Sequence, residues 1–219
     1  MINKGIRYIT LITLCCITSI ANAAIFDYLS LANGNERGYI TFTHTVDGIQ
    51  ANATGRSADG STAYFAYMDS GNAGLGVCQA LTSSNQCTPS SDDNVTYLES
   101  LILTFDQEVN IESISFINGD HGTNFLGDFN LAIDDSTAET FSLAHTFSTV
   151  ITGTEFIFTN LNSLGDSARS NEYQFYISAM DVSVITPTTS SVVPVPAAAW
   201  LFASGLLGLV GVARRRKIK

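Results

Sequence analysis

The sequence predicts an all-β ectodomain, a single antiparallel β-sandwich of jelly-roll-like type, followed by one C-terminal transmembrane helix. Three observations carry that expectation. Through the long middle of the chain apolar residues recur at every second position, the spacing that lines one face of a strand. Clusters of Gly, Asn, Asp and Ser interrupt this alternation about every ten residues, as the turns of an all-β domain require. Near the end, residues 197–213 form an apolar run closed by Arg214, Arg215 and Arg216.

The first segment, residues 1–23, has the form of a secretory signal peptide. Lys4 and Arg7 precede an apolar run from Tyr8 to Ile20, and the small residues Ala21 and Ala23 stand just ahead of Ala24. That run falls short of the roughly 18 residues of a spanning helix, so cleavage by signal peptidase before Ala24 is expected, not an uncleaved anchor. Cys15 and Cys16 lie inside it, and neither follows the small residue that a lipoprotein signal needs.

Residues 24–185 then make one domain, long enough to bury a core without disulfides. Ile40, Phe42, His44 and Val46 share one side of an extended segment, Asp47-Gly48 offers a two-residue turn, and Ile49, Ala51 and Ala53 run back. This is a hairpin pattern. A second extended region covers residues 63–68. Leu101, Leu103 and Phe105 alternate up to Asp106-Gln107-Glu108, where a turn is expected, and Val109, Ile111, Ile114 and Phe116 form the return strand. Further strands are expected at 129–133, 140–147, 155–159 and 173–184, the last one central because it is long and alternates throughout. No stretch of the body keeps a helical stripe for three turns.

Two cysteines remain in this body, Cys78 and Cys87, nine positions apart. In an oxidising compartment they are expected to pair as a staple on a surface loop, worth about 2.5 to 3 kcal/mol by the chain-entropy estimate. A redox-active pair would want two intervening residues at a helix start, and a metal site would want more ligands between them.

Charge excludes whole classes of partner. Between Ala24 and Val193 stand only Arg37, Arg56 and Arg169 against all 20 acidic residues of the chain, a net of −17. Such a body repels nucleic acid and anionic lipid, so neither is expected to bind it. It favours solubility, and it suits divalent cations.

Little in the body points to catalysis. No Gly-x-Ser-x-Gly elbow occurs, and no glycine-rich phosphate loop follows a strand. His44, His121 and His145 are too far apart for a zinc signature, and His44 and His145 are expected to be strand residues with satisfied hydrogen bonds. The expectation is therefore not an enzyme and no obligatory cofactor. The loop at 118–124 is the best binding candidate. Asp120, Asn124 and Asp128 offer oxygen ligands to Ca²⁺, while Asn, Asp and Gly also serve any hairpin loop. A second such segment, Asp69-Ser70-Gly71-Asn72 ahead of Gly74-Leu75-Gly76-Val77, reads as a turn. Tyr39, Tyr64, Tyr67 and Tyr97 could present a sugar-stacking face, although alternation sends some of them to the core.

From residue 186 to 193 Pro, Thr, Ser and Val make an extended linker that cannot build a core. Pro194-Val195-Pro196 follows, then the alanine-rich run 197–213 with Trp200 at its outer end and Gly205 and Gly208 within, then the basic tail. Seventeen residues at about 1.5 Å each span roughly 26 Å, the short end for a bilayer core. By the positive-inside rule the tail stays cytoplasmic and the body lies outside.

The order Pro-x-Pro, apolar helix, arginine cluster, from Val193 onward, resembles the PEP-CTERM sorting signal. Val195 stands where most members carry Glu, as in the Val-Pro-x-Pro variant. The resemblance implies that an exosortase-type transpeptidase reads Pro194, Val195, Pro196, Trp200, Arg214, Arg215 and Arg216. It also implies an inner-membrane precursor with a periplasmic body, released to the cell surface or the extracellular matrix in association with exopolysaccharide or biofilm. A Ca²⁺-dependent carbohydrate-binding or adhesion module and a secreted hydrolase are the alternative expectations.

Overall fold

A computed structural model of the chain describes residues 23–162 and 170–185, together with Phe202 and Ser204. By its contacts the chain divides into Met1–Ile185 and Thr186–Lys219. In the second unit Phe202 and Ser204 are helical, and among the described residues no helix is long and apolar enough to cross a membrane. The expected signal peptide up to residue 22, the linker at 186–193 and the sorting signal, with Pro194, Val195, Pro196, Trp200 and Arg214 to Arg216, lie outside the described residues.

The body begins with β1 (Ala23–Asp27) and the short helix α1 (Tyr28–Ala32). Next come β2 (Arg37–Tyr39), β3 (Phe42–Val46), β4 (Ile49–Ser57), β5 (Ala63–Asp69) and β6 (Gly74–Cys78). The chain continues through β7 (Glu99–Asn118), β8 (Asp128–Ile133), β9 (Glu139–Ser142), β10 (Thr146–Phe147) and β11 (Ile151–Asn160), then a 3-10 turn at Ser170–Tyr173 and β12 (Phe175–Val184). The class is all-β, and the pairings are antiparallel. Hydrogen bonding closes a ring, since β7 pairs with β4, β4 with β5, β5 with β6, β6 with β12, and β12 again with β7.

Local chemistry accounts for most of these elements. Asp47 and Gly48 both take positive φ, 49° and 84°, which is the two-residue turn whose twist matches the strands it joins. Val46 then faces Ile49 and Phe42 faces Ala53, the register the alternation requires. Asp27 caps α1, its carboxylate accepting from Ser30 N (2.9 Å) and Ser30 Oγ (2.6 Å).

The expected turn at Asp106-Gln107-Glu108 is corrected: β7 runs through it without a break. This tripeptide lacks the Gly, Asn or Pro that a tight turn uses, and the burial phase of Phe105 carries straight on to Val109 and Ile111. Asp106 Oδ1 accepts from Gln50 N (3.0 Å), which keeps the acidic side chain on the strand's edge. The reversal happens by bending. The first half of β7 pairs with β4 and its second half with β12, while Phe116 of the second half lies 6.5 Å from Phe158, the partner of Leu101 in the first.

Two bulges steer the core face. Between Ala179 and Ile177 the β12 register skips Ser178, and between Asp181 and Val182 the β7 register skips Glu112. Each skip turns the following side chains over, so Phe175 and Ile177 are buried on one side of Ser178 and Met180 and Val182 on the other. The expected strand at 140–147 is two short ones, β9 and β10, and the regions 155–159 and 173–184 are realised as β11 and β12.

β6 is an element that the turn reading of residues 74–77 misses. All five of its residues are buried. A Cβ on Gly74, at φ +128°, would meet Ile177 O at 2.5 Å, and one on Gly76 would run into Asp93 O. The glycines here let neighbouring backbones press on a buried strand, a role that composition alone does not separate from a turn.

Candidate functional site

Strand registers divide the body into two ends. At one of them Ala23 stands opposite Ser183, and Ile185 N donates to Glu108 O at the bend of β7, so the chain enters and leaves the body side by side. Both tips of β7 return to the other end. Phe175 pairs with Asn118 and also with Val95, while Asn160 pairs with Glu99. That end gathers the turn at 70–73, the segment 88–98, the loop 119–127 and the 3-10 turn.

Buried polar and charged residues among those described are Asp69, Asn94, Glu99, Ser100, Asn118, Asn160, Gln174 and Ser178. All belong to this loop-rich end. Their hydrogen bonds tie its segments together: Asn94 Nδ2 donates to Gln174 Oε1 (3.0 Å), and Asn160 Nδ2 donates to Val95 O (3.0 Å) and Tyr173 O (2.7 Å). Burial pushes Glu99 up to about 7, although its carboxylate accepts from Thr96 N (2.9 Å) and Gln79 Nε2 (3.0 Å).

The expected calcium loop lies here, and of its three expected ligands Asp120 has its carboxylate hydrogen-bonded within the protein, while Asn124 and Asp128 are held through their backbone. Asn118 Oδ1 accepts from Asp120 N (3.0 Å) and Gly122 N (2.8 Å), and its Nδ2 donates to Asn124 O (2.6 Å). Asp120 Oδ1 accepts from Asn171 Nδ2 (2.6 Å). Asp128 opens β8, and Asn162 clasps its backbone from both sides. Among the described residues, Cys78, Cys87 and Asp92 bring three ligating atoms together, but the two sulfurs are joined as the expected disulfide.

His121 is the residue whose role single-sequence reading missed. With φ at 60° it turns back over the β5–β6 turn, where its Nδ1 lies 2.8 Å from Gly71 O and its Nε2 lies 3.0 Å from Asp69 Oδ2. Tyr176 meets the ring edge to face at 5.7 Å and donates from its hydroxyl to Asp93 Oδ1 (2.7 Å). Close by, Glu36 accepts from Tyr67 Oη (3.1 Å) and Ser70 Oγ (2.6 Å). Burial, and then the charge of Asp93, push Asp69 up to about 6. Burial also raises Asp93, and Tyr176 is pushed far above the phenol range by burial and by the two carboxylates beside it.

No protein-family model, curated protein or solved structure matches this chain.

Two loops that the sequence marks by composition, at 69–72 and 118–124, are brought into contact through one imidazole. Both ring nitrogens of His121 are engaged within the protein. An open hollow of about 340 Å³, lined by Leu29, Ser30, Asn33, Gly71 and Asn72, adjoins the turn. The four tyrosines do not form one face: Tyr67 is buried, Tyr39 packs edge-on against Phe42, and Tyr97 is exposed. Tyr64 lines two clefts of its own, of about 310 and 360 Å³. His44 stacks with Phe42 in β3, whereas His145 precedes β10 and pairs its Nδ1 with Phe116 O (2.8 Å).

Proposed function

We propose that this chain is an exported structural or interaction protein of the cell surface or extracellular matrix. In this reading signal peptidase frees it at Ala24, an exosortase-type transpeptidase cuts near Pro194, and exopolysaccharide is its contact. The body serves as a jelly-roll-like sandwich whose loop-rich end is the recognition face.

One observation supports this most: Ala23 lies opposite Ser183, so the links to both terminal segments leave from one end of the body. That arrangement suits a precursor held at both ends by one membrane, because neither link has to cross the fold. It leaves the end with His121, Asp69 and Asn118 pointing away from both attachments. Ala24 and Phe26 are fully buried in β1, and among the described residues a cut before Ala24 removes only the exposed Ala23.

Intact-mass analysis of protein released from the cell surface tests the reading. The expected product begins at Ala24 and ends near Pro194. A released product that still carries Arg214 to Lys219 would contradict it.

A further inference from the structure

The contact between His121 and the β5–β6 turn has a proton inventory that can be worked out atom by atom. Gly71 O can only accept, so its 2.8 Å contact with His121 is a hydrogen bond when Nδ1 carries the hydrogen. Nε2 then faces Asp69 Oδ2 at 3.0 Å, and Oδ2 has no other hydrogen-bond donor among the described residues. With one further proton on the pair, as imidazolium and carboxylate or as imidazole and carboxylic acid, this second contact is attractive. Without that proton the neutral ring carries one hydrogen for two acceptors, so in either tautomer a nitrogen lone pair faces an oxygen, of Gly71 or of the Asp69 carboxylate; Asp69 is 5 % exposed and the His121 side chain 35 %.

We infer that His121 and Asp69 form a proton-operated clasp, which holds the loop 119–124 against the β5–β6 turn when protonated and lets it go when deprotonated. The clasp joins segments that are otherwise anchored separately: the loop through Asn118, and the turn through Ser70 and Glu36. Asp93 and Glu36 favour keeping the proton on the pair, whereas a hydrogen bond from Tyr176 favours the Asp69 carboxylate. Asp93 acts from the segment before β7, Glu36 from between α1 and β2, and Tyr176 of β12 stays a neutral donor that bonds Asp93. On the loop itself Asp120 turns its carboxylate to Asn171. The burial that pushes Asp69 up is consistent with the proton remaining on the pair in mildly acidic surroundings. Release changes which surface the loop-rich end presents, and this holds whatever that end binds.

Amide hydrogen exchange on the full chain in detergent micelles tests the clasp, with rates corrected for the intrinsic effect of pH. Between about pH 5 and about pH 8, residues 119–124 and 70–72 should lose protection by about tenfold or more beyond any loss in residues 101–117 of β7, which report global stability. Asp69→Asn should keep the loop protected at both values, because a carboxamide N–H can donate to Nε2 of a neutral imidazole. His121→Gln should likewise remove the pH dependence. Equal protection of the wild-type loop at both values, or a wild-type pH dependence persisting in either variant, would overturn the inference.

Discussion

Tyr28 has its side chain wholly inside the core, 1 % exposed, and its hydroxyl finds no hydrogen-bond partner among the described residues. An unsatisfied buried hydroxyl costs about 1 to 3 kcal/mol, so Tyr28→Phe is expected to leave stability unchanged or raise it by about 1 kcal/mol, measured by urea unfolding. Gly76 makes the opposite case. A methyl group there has no flexible side chain to displace, since it would strike the backbone of Asp93 and Asn94. Gly76→Ala should cost about 3 kcal/mol in the same assay, near the upper end for overpacking. Cys78 and Cys87 join the end of β6 to the following loop, and reducing them should cost about 2.5 to 3 kcal/mol. Their pairing was legible in the sequence because two cysteines remain after the expected cleavage. The role of His121 was not, because its partners Asp69 and Gly71 lie 50 or more positions away and only the fold brings them together.

Among elements, legibility followed the strength of the local signal. Asp47-Gly48 marks the β3–β4 hairpin unmistakably, and Gly48 at φ 84° makes the substitution Gly48→Ala cost about 1 kcal/mol by thermal unfolding. β1 was hidden because its first residues double as the expected cleavage site, and β6 because its glycines look like turn residues. β7 was divided in two because three polar residues in a row suggest a turn, when here they ride the outside of a bend while the apolar phase continues. The bulges at Glu112 and Ser178 lie beyond sequence reading altogether. Each is defined by a partner strand, and strict alternation written through Ala179 puts the wrong side chains in the core. Loop residues such as Asp120, Asn124 and Asp128 were identified as neighbours on one loop, but which carbonyl or carboxylate each engages depended on Asn118, Asn171 and Asn162.

At the scale of the whole body, the buried acids set how stability responds to pH. Asp69 is held up at about 6 and Glu99 at about 7, with Asp92 and Asp93 also raised, all chiefly by burial. A carboxyl whose folded value exceeds its unfolded one binds more protons folded than unfolded, so stability falls as pH rises from about 4 through about 7. Asp59 and Asp134 are lowered by hydrogen bonds from Ser57, Ser61, Thr154 and Glu155, and their contribution is lost only as pH falls below the ordinary carboxylate range. Self-repulsion in a body of net −17 acts in the same direction as the buried acids. The urea midpoint should therefore be higher near pH 4.5 than near pH 8, and Glu99→Gln should flatten the decline at its upper end.

Export with the body outside the inner membrane is the claim on which the functional reading stands, and topology labelling addresses it most directly. A cysteine placed at exposed Asp135 gives a target for a membrane-impermeant maleimide in intact spheroplasts. The account predicts labelling without lysis, with Cys78 and Cys87 unreactive until a reductant is added. Labelling of Asp135→Cys only after lysis, together with freely reactive Cys78 and Cys87, would contradict it.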